Sequence, residues 1–243
     1  MQINQNIKWL ISQVHNNLDN IKIHSYNVNM VAPNGVSYPL AQDYCFWLYN
    51  GLSEDYQTIT FLVSNMININ HFSLRPLYCI LRSSFEKYAD ILNFIVHQSK
   101  YHYYVNYLNN RSVGNEQYVV DEQNVKTSFN LTVCNRKTRY YLLGQANKFL
   151  DANYQVITEF NRNLSELDSY YSQLLHNNLD VKITPNYQKI VEILKQLQCM
   201  MYATTVLIKG HYAYQNLLNI DLLNKTDYDI TQLKMALDNN VFI

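Results

Sequence analysis

The sequence is short of the residues that interrupt regular structure. It has five Gly and four Pro among 243 residues. Turns draw on Gly for positive φ and on Pro for a fixed one. A fold of many short strands needs a turn roughly every 8–12 residues, so this composition argues against one and leaves long helices. Charge is also sparse. Lys and Arg number 19, Asp and Glu number 19, and the net charge is zero. That excludes the global basic field of a strong nucleic-acid binder and leaves only local patches.

Long apolar runs are missing too. The best one, Cys199–Ile208, carries threonines and falls short of the ~20 residues that a membrane-spanning helix needs. No membrane association is expected. The four cysteines, Cys45, Cys79, Cys134 and Cys199, form no CxxC pair, so zinc-site spacing is absent. There is no HExxH or paired-Asp motif either. The expectation is no metal and no cofactor. The N-terminal MQINQNIKWLISQVHNN is amphipathic and lacks a small-residue cleavage site. These features predict a cytoplasmic protein with free thiols in its core.

What is abundant is tyrosine, with 22 copies. Tyr suits semi-buried positions, with its ring inward and its hydroxyl outward. Helical periodicity fills most of the chain. Ile3, Ile7, Leu10, Ile11, Val14 and Leu18 predict a helix over 2–20. Residues 21–38 lose the period and contain the turn signal APNG at Pro33 to Gly35, which predicts an extended excursion or short hairpin. Helix resumes over 39–70, with Pro39 in its first turn. A break is expected at Gly51, with Ser53 capping the continuation.

Residues 73–110 carry the longest pattern, with Leu77, Leu81, Ser84, Tyr88, Ile91, Leu92 and Ile95 facing inward. At ~100° per residue, Ser83, Lys87 and Asp90 share the solvated stripe. Arg75, Arg82, Glu86 and Asn93 fall at a helix–helix boundary. Residues 111–134 show no helical period and predict an irregular insertion. Further helices are expected from Tyr140 through Leu150, with an extension to Phe160 or a restart near Asn153, over 164–177, over 186–219, and from Asp229. The expected fold is all-α: a single domain over 1–243, a bundle of about five to eight helices.

Two polar stripes stand out. The first is Arg75, Arg82, Glu86 and Asn93. The second is Asp168, Ser172 and His176, at i, i+4 and i+8. Arg82 and Glu86 are spaced to pair on one helix face. An arginine so placed can bind an anion, or it can fix helix register. His176 has the one side-chain type that titrates near neutrality and suits general acid–base work. It can equally complement a helix C-terminus as a cation. Ser172 lies one turn before it, with no Gly-x-Ser-x-Gly elbow. Arg136, Lys137 and Arg139 form the densest basic cluster. It reads as a phosphate contact or as a solvated loop–helix junction. His97 and His102 lie among four tyrosines in HQSKYHYYVNYLNN, a pattern that suits base stacking or an amphipathic helix.

The runs LRSSFEKYADILNFI and YYSQLLHNN resemble the Arg-x3-Glu helix and the Ser-x3-His segment of all-helical bacterial families. Those families look related to the HEPN (higher eukaryote and prokaryote nucleotide-binding) superfamily, which includes toxin and phage-defence ribonucleases as well as inactive binding modules. The resemblance covers roughly 53–215 and would place the site at Arg82, Glu86, Ser172, His176 and Asn177. It implies a metal-independent ribonuclease or RNA binder, working as a homodimer and held by an antitoxin or other protein partner. In such an enzyme His176 would move the proton of the 2′-OH and Arg82 would stabilise the phosphate, with Glu86 orienting Arg82 or relaying a proton. HEPN ribonucleases carry an Arg a few residues before the His. Here positions 170–172 are Tyr, Tyr and Ser, and Arg162 is too distant, so Arg82 would have to substitute. The alternative is a non-catalytic helical interaction module whose stripes are structural and which binds a protein partner.

Overall fold

The computed structural model describes residues 29–31, 37–39, 44–66, 73–135, 137–146, 155–176, 187–214 and 220–239. The expected helix over 2–20 and the APNG turn lie outside the described residues, as do Arg136, Asn177 and the stretch 147–154. Among the described residues the chain is helical apart from one hairpin. Strands β1 (Asn29–Val31) and β2 (Ser37–Pro39) pair antiparallel, with Met30 opposite Tyr38. Eight helices follow: α1 (Tyr44–Met66), α2 (Arg75–Val96), α3 (Gln98–Ser112), α4 (Gln117–Phe129), α5 (Thr138–Ala146), α6 (Gln155–His176), α7 (Tyr187–Tyr214) and α8 (Ile220–Asp238). None of these helices is long and apolar enough to cross a membrane.

The chain forms two compact units. The first comprises the chain up to Tyr88 and from Glu166 onward; the second is Ala89–Ser165. In the first unit, α1 buries Cys45, Tyr49, Leu52, Tyr56, Ile59 and Val63. These residues alternate at steps of four and three, the spacing that keeps one stripe inward. Facing residues come from α7, where Ile190, Ile193, Leu194, Leu197 and Ile208 are buried, and α7 contacts both α1 and α8.

Two expectations for α1 fail. The helix starts at Tyr44, and Pro39 ends strand β2 instead. It also runs unbroken through Gly51, and Ser53 is buried within it rather than capping it. The reason is tertiary. The Lys87 side chain passes over Gly51, 3.2 Å from where a Cβ would sit. There Lys87 Nζ meets the Asp55 carboxylate at 2.7 Å, and the Ser84 hydroxyl donates to the same oxygen at 2.9 Å. Glycine makes room for that crossing, and burial outweighs its weak helix propensity.

In the second unit, the expected long helix over 73–110 divides at His97 (φ −115°, ψ 31°) into α2 and α3. The segment expected to be irregular is a correction: within 111–134, α4 forms a helix of 13 residues that packs on α3. Gly114, at φ +70°, makes the turn between them, a conformation that costs glycine little. Asn130 closes α4 in the left-handed region (φ 53°, ψ 47°), and the Leu131 amide donates to the Lys126 carbonyl at 2.8 Å, a helix-ending device suited to Asn.

Tyrosines fill these interiors. Tyr88, Tyr101, Tyr104, Tyr107 and Tyr171 are fully or almost fully buried, so many go deeper than the semi-buried role expected of them. In the second unit, Tyr101, Tyr104 and Tyr107 lie ring to ring, with centroids 5.3 and 6.3 Å apart. That arrangement withdraws them from any base-stacking surface and leaves His102 exposed beside Tyr103. Helix α5 begins on an Asn135 side chain that accepts from the Lys137 amide at 2.9 Å. The helix that carries 164–177 spans Gln155–His176, in line with a restart near Asn153, and the terminal one starts at Ile220 rather than Asp229.

Candidate functional site

The two polar stripes meet within the first unit. The Arg82 Nε donates to Asp168 Oδ1 at 2.9 Å, and its terminal nitrogen lies 3.5 Å from the Glu86 carboxylate one turn along α2. Seven residues before Arg82, Arg75 donates to the Leu175 carbonyl at 3.3 Å. Leu175 lies seven residues after Asp168. The two contacts therefore repeat in opposite chain directions, which fixes α2 and α6 as antiparallel here. Tyr171 packs between them against Tyr78 and Phe85, with centroids at 5.0 and 5.8 Å. Its hydroxyl donates to Gln196 Oε1 on α7 at 3.0 Å. Burial pushes the Tyr171 phenol well above its ordinary range.

This register decides which predicted residues converge. Arg82, Glu86 and Asp168 do. His176 does not: it is the exposed last residue of α6. It lies eight residues beyond Asp168, or ~12 Å along the helix axis at 1.5 Å per residue. It shares its end of the helix pair with Arg75. Ser172 is half-buried between the two levels.

The electrostatics of the cluster follow from the count. Among the described residues, one guanidinium sits between two carboxylates. The Asp168 side chain is only 8% exposed, and a carboxylate at that depth requires its cationic partner. Arg82 is committed to that role. A phosphate approaching it would meet Glu86 and would have to compete with Asp168.

The basic cluster divides in the same way. In the second unit, Arg139 turns inward and donates to Asp90 Oδ1 at 2.7 Å; the two residues are 8% and 4% exposed. The Tyr101 hydroxyl donates to the same Asp90 oxygen, and Asn93 donates to the Arg139 carbonyl at 2.9 Å. Burial opposes the Arg139 charge. The Asp90 carboxylate and the Tyr104 and Tyr101 phenols outweigh it and hold the guanidinium above its ordinary value. Lys137 remains on the surface. Asp90, expected on the solvated stripe with Ser83 and Lys87, is thus a buried ion-pair partner. The sequence reading overlooked it because helical angle alone places it beside Ser83. Only the non-local arginine 49 residues on explains its burial.

His97 sits at the α2–α3 junction with its ring edge-on to Phe129, centroids 5.5 Å apart. Burial lowers its basicity, and a hydrogen bond with the Leu142 backbone partly offsets this. Among the described residues no group of three or more His, Cys, Asp or Glu side chains could hold a metal ion. No protein-family model, curated protein or solved structure matches the chain.

Proposed function

We propose that this chain is a non-catalytic helical binding module that engages a protein partner. In this reading its polar stripes set helix register rather than act on a substrate. The observation that carries the reading is the placement of Arg82 between Asp168 and Glu86, with His176 two turns away from them. A ribonuclease centre needs a cation free to meet the phosphate and a proton-transfer group within hydrogen-bond reach of the same atom. The geometry favours neither.

A protein-binding role has its own support on α1. Trp47 and Phe61 are 65% and 66% exposed, and Glu54 lies midway between them. The three recur at steps of seven, so they line one face. Exposed large aromatics on one helical face suit the anchoring contacts of a protein interface.

The test is induced expression of the wild type, Arg82→Ala, His176→Ala and Trp47→Glu, with folding checked by circular dichroism. The expected outcome is intact RNA and normal growth throughout. One bound protein should copurify with the wild type and with His176→Ala and be lost from Trp47→Glu. Growth arrest with RNA cleavage in the wild type, abolished in folded Arg82→Ala and His176→Ala, would reject the proposal and restore the HEPN-type ribonuclease.

A further inference from the structure

A cavity of about 300 Å³ opens within the second unit, and none of its described lining residues belongs to the Arg82 cluster. One wall is the polar face of α6, where Thr158, Asn161, Arg162 and Ser165 follow at helical spacing; the other is α5, through Tyr140 and Gly144. Gly144 creates part of the space. A Cβ built there meets nothing within 4 Å, so the helix has traded a side chain for an opening. No acidic residue lines the cavity among the described residues.

Arg162 is the informative residue. Arg75, Arg82, Arg111 and Arg139 each donate to an acceptor in the protein. Arg162 makes no such bond among the described residues. It is exposed at the rim of the cavity, with the Thr158 and Ser165 hydroxyls one turn away on either side along α6. A planar cationic fork with the Ser165 hydroxyl beside it suits a tetrahedral oxyanion. Leu143 and the ring of Tyr140 supply an apolar surface beside it. The volume is at the lower end of small-molecule sites, which run from roughly 300 to 1,000 Å³.

We infer that this cavity binds a small organic phosphate monoester, its phosphate held by Arg162 and Ser165 and its organic part against Tyr140 and Leu143. The inference does not depend on the binding-module reading, since it concerns different residues in a different unit.

The experiment is isothermal titration calorimetry of the full chain with inorganic phosphate, ribose 5-phosphate, AMP and, as the uncharged control, ribose. Each is taken to about 10 mM, well above a dissociation constant of about 1 mM. The expected result is binding of at least one ester, tighter than inorganic phosphate, with none of ribose. Arg162→Ala should weaken it about tenfold or more, the scale of a charge-assisted hydrogen bond. Gly144→Leu should block it by filling the cavity. That variant should also fold, because leucine is a better helix former than glycine. Lys126→Ala, on α4 and paired there with Glu122, should leave binding unchanged. Failure of all three phosphates to bind would overturn the inference. So would binding that neither Arg162→Ala nor Gly144→Leu alters. Equal affinity for inorganic phosphate and the esters would overturn the assignment of an organic ligand.

Discussion

Replacing Arg139 by Met removes a guanidinium from the interior of the second unit and keeps most of its aliphatic volume. Asp90, 4% exposed, then loses its 2.7 Å cationic partner while retaining the Tyr101 hydroxyl. Breaking a buried pair from one side costs about 3–5 kcal/mol, because a charge is left in low dielectric. Against a typical total of about 5–15 kcal/mol, that is a large fraction. Tyr101→Phe removes the second donor and should cost less, about 1.5–3 kcal/mol, the range for a hydrogen bond to a charged group. Adding Asp90→Leu to Arg139→Met removes the stranded carboxylate. The double variant should therefore recover most of the loss, as apolar replacements of buried pairs commonly do.

Urea unfolding followed by far-ultraviolet circular dichroism measures each value, with an unchanged m confirming that the transition is the same. The raised Arg139 value keeps the side chain charged throughout the accessible range, whereas the stranded Asp90 takes up a proton more readily as pH falls, so the Arg139→Met penalty should be at least as large at pH about 9 as at about 6. A penalty below about 1 kcal/mol, the figure for an exposed ion pair, would refute the reasoning. It would mean that Arg139 is displayed to solvent, as a phosphate-binding basic cluster requires.

Three further outcomes follow from the same structure. His97 has a folded value below the ordinary histidine one because of burial, so below that ordinary value protons bind the unfolded chain more readily. Stability should be full above pH about 6.5 and should decline as pH falls through the lowered folded value; His97→Phe should flatten that part of the profile of Tm against pH. Cys79 is exposed, whereas Cys45, Cys134 and Cys199 are buried, and burial pushes the Cys199 thiol up to about 12. A thiol reagent should therefore label Cys79 rapidly in the native protein and all four cysteines only after denaturation; fast native labelling of Cys199 would contradict its placement. Gly144→Ala should raise stability by about 0.5–1 kcal/mol, the helix-propensity gain, because nothing occupies the added space. Gly51→Ala should gain less, since its Cβ would meet Lys87, and urea midpoints of the two variants rank them.

The helical class was legible because scarce Gly and Pro and a strong 3.6-residue period act locally, and both survive folding. The buried faces of α2 and α7 follow the sequence pattern for the same reason. Helix α4 was hidden because its inward stripe is only Asp121, Val125 and Phe129, with an acid at one of three positions. Val119 and Val120 are more than half exposed, so its apolar residues mark the wrong face. Asp121 tolerates burial because Asn110 on α3 donates to it at 2.7 Å, a contact that forms only once α3 and α4 pack together.

The same cause separates the readable from the unreadable parts of the site. The Arg82–Glu86 spacing is a property of one helix and could be seen in the sequence. What Arg82 does depends on Asp168, 86 residues away, and on a register that sets His176 two turns beyond it. An arginine in an Arg-x3-Glu pattern is the same string whether it awaits a phosphate or neutralises a buried acid. The difference lies in the acids that meet it among the described residues, Asp168 as well as Glu86, and the Asp168 contact exists only once α2 and α6 are paired. Arg162 makes the converse point. It belongs to no motif and lies too far from His176 in sequence to serve one, yet among the described arginines it is the one that donates to no acceptor in the protein.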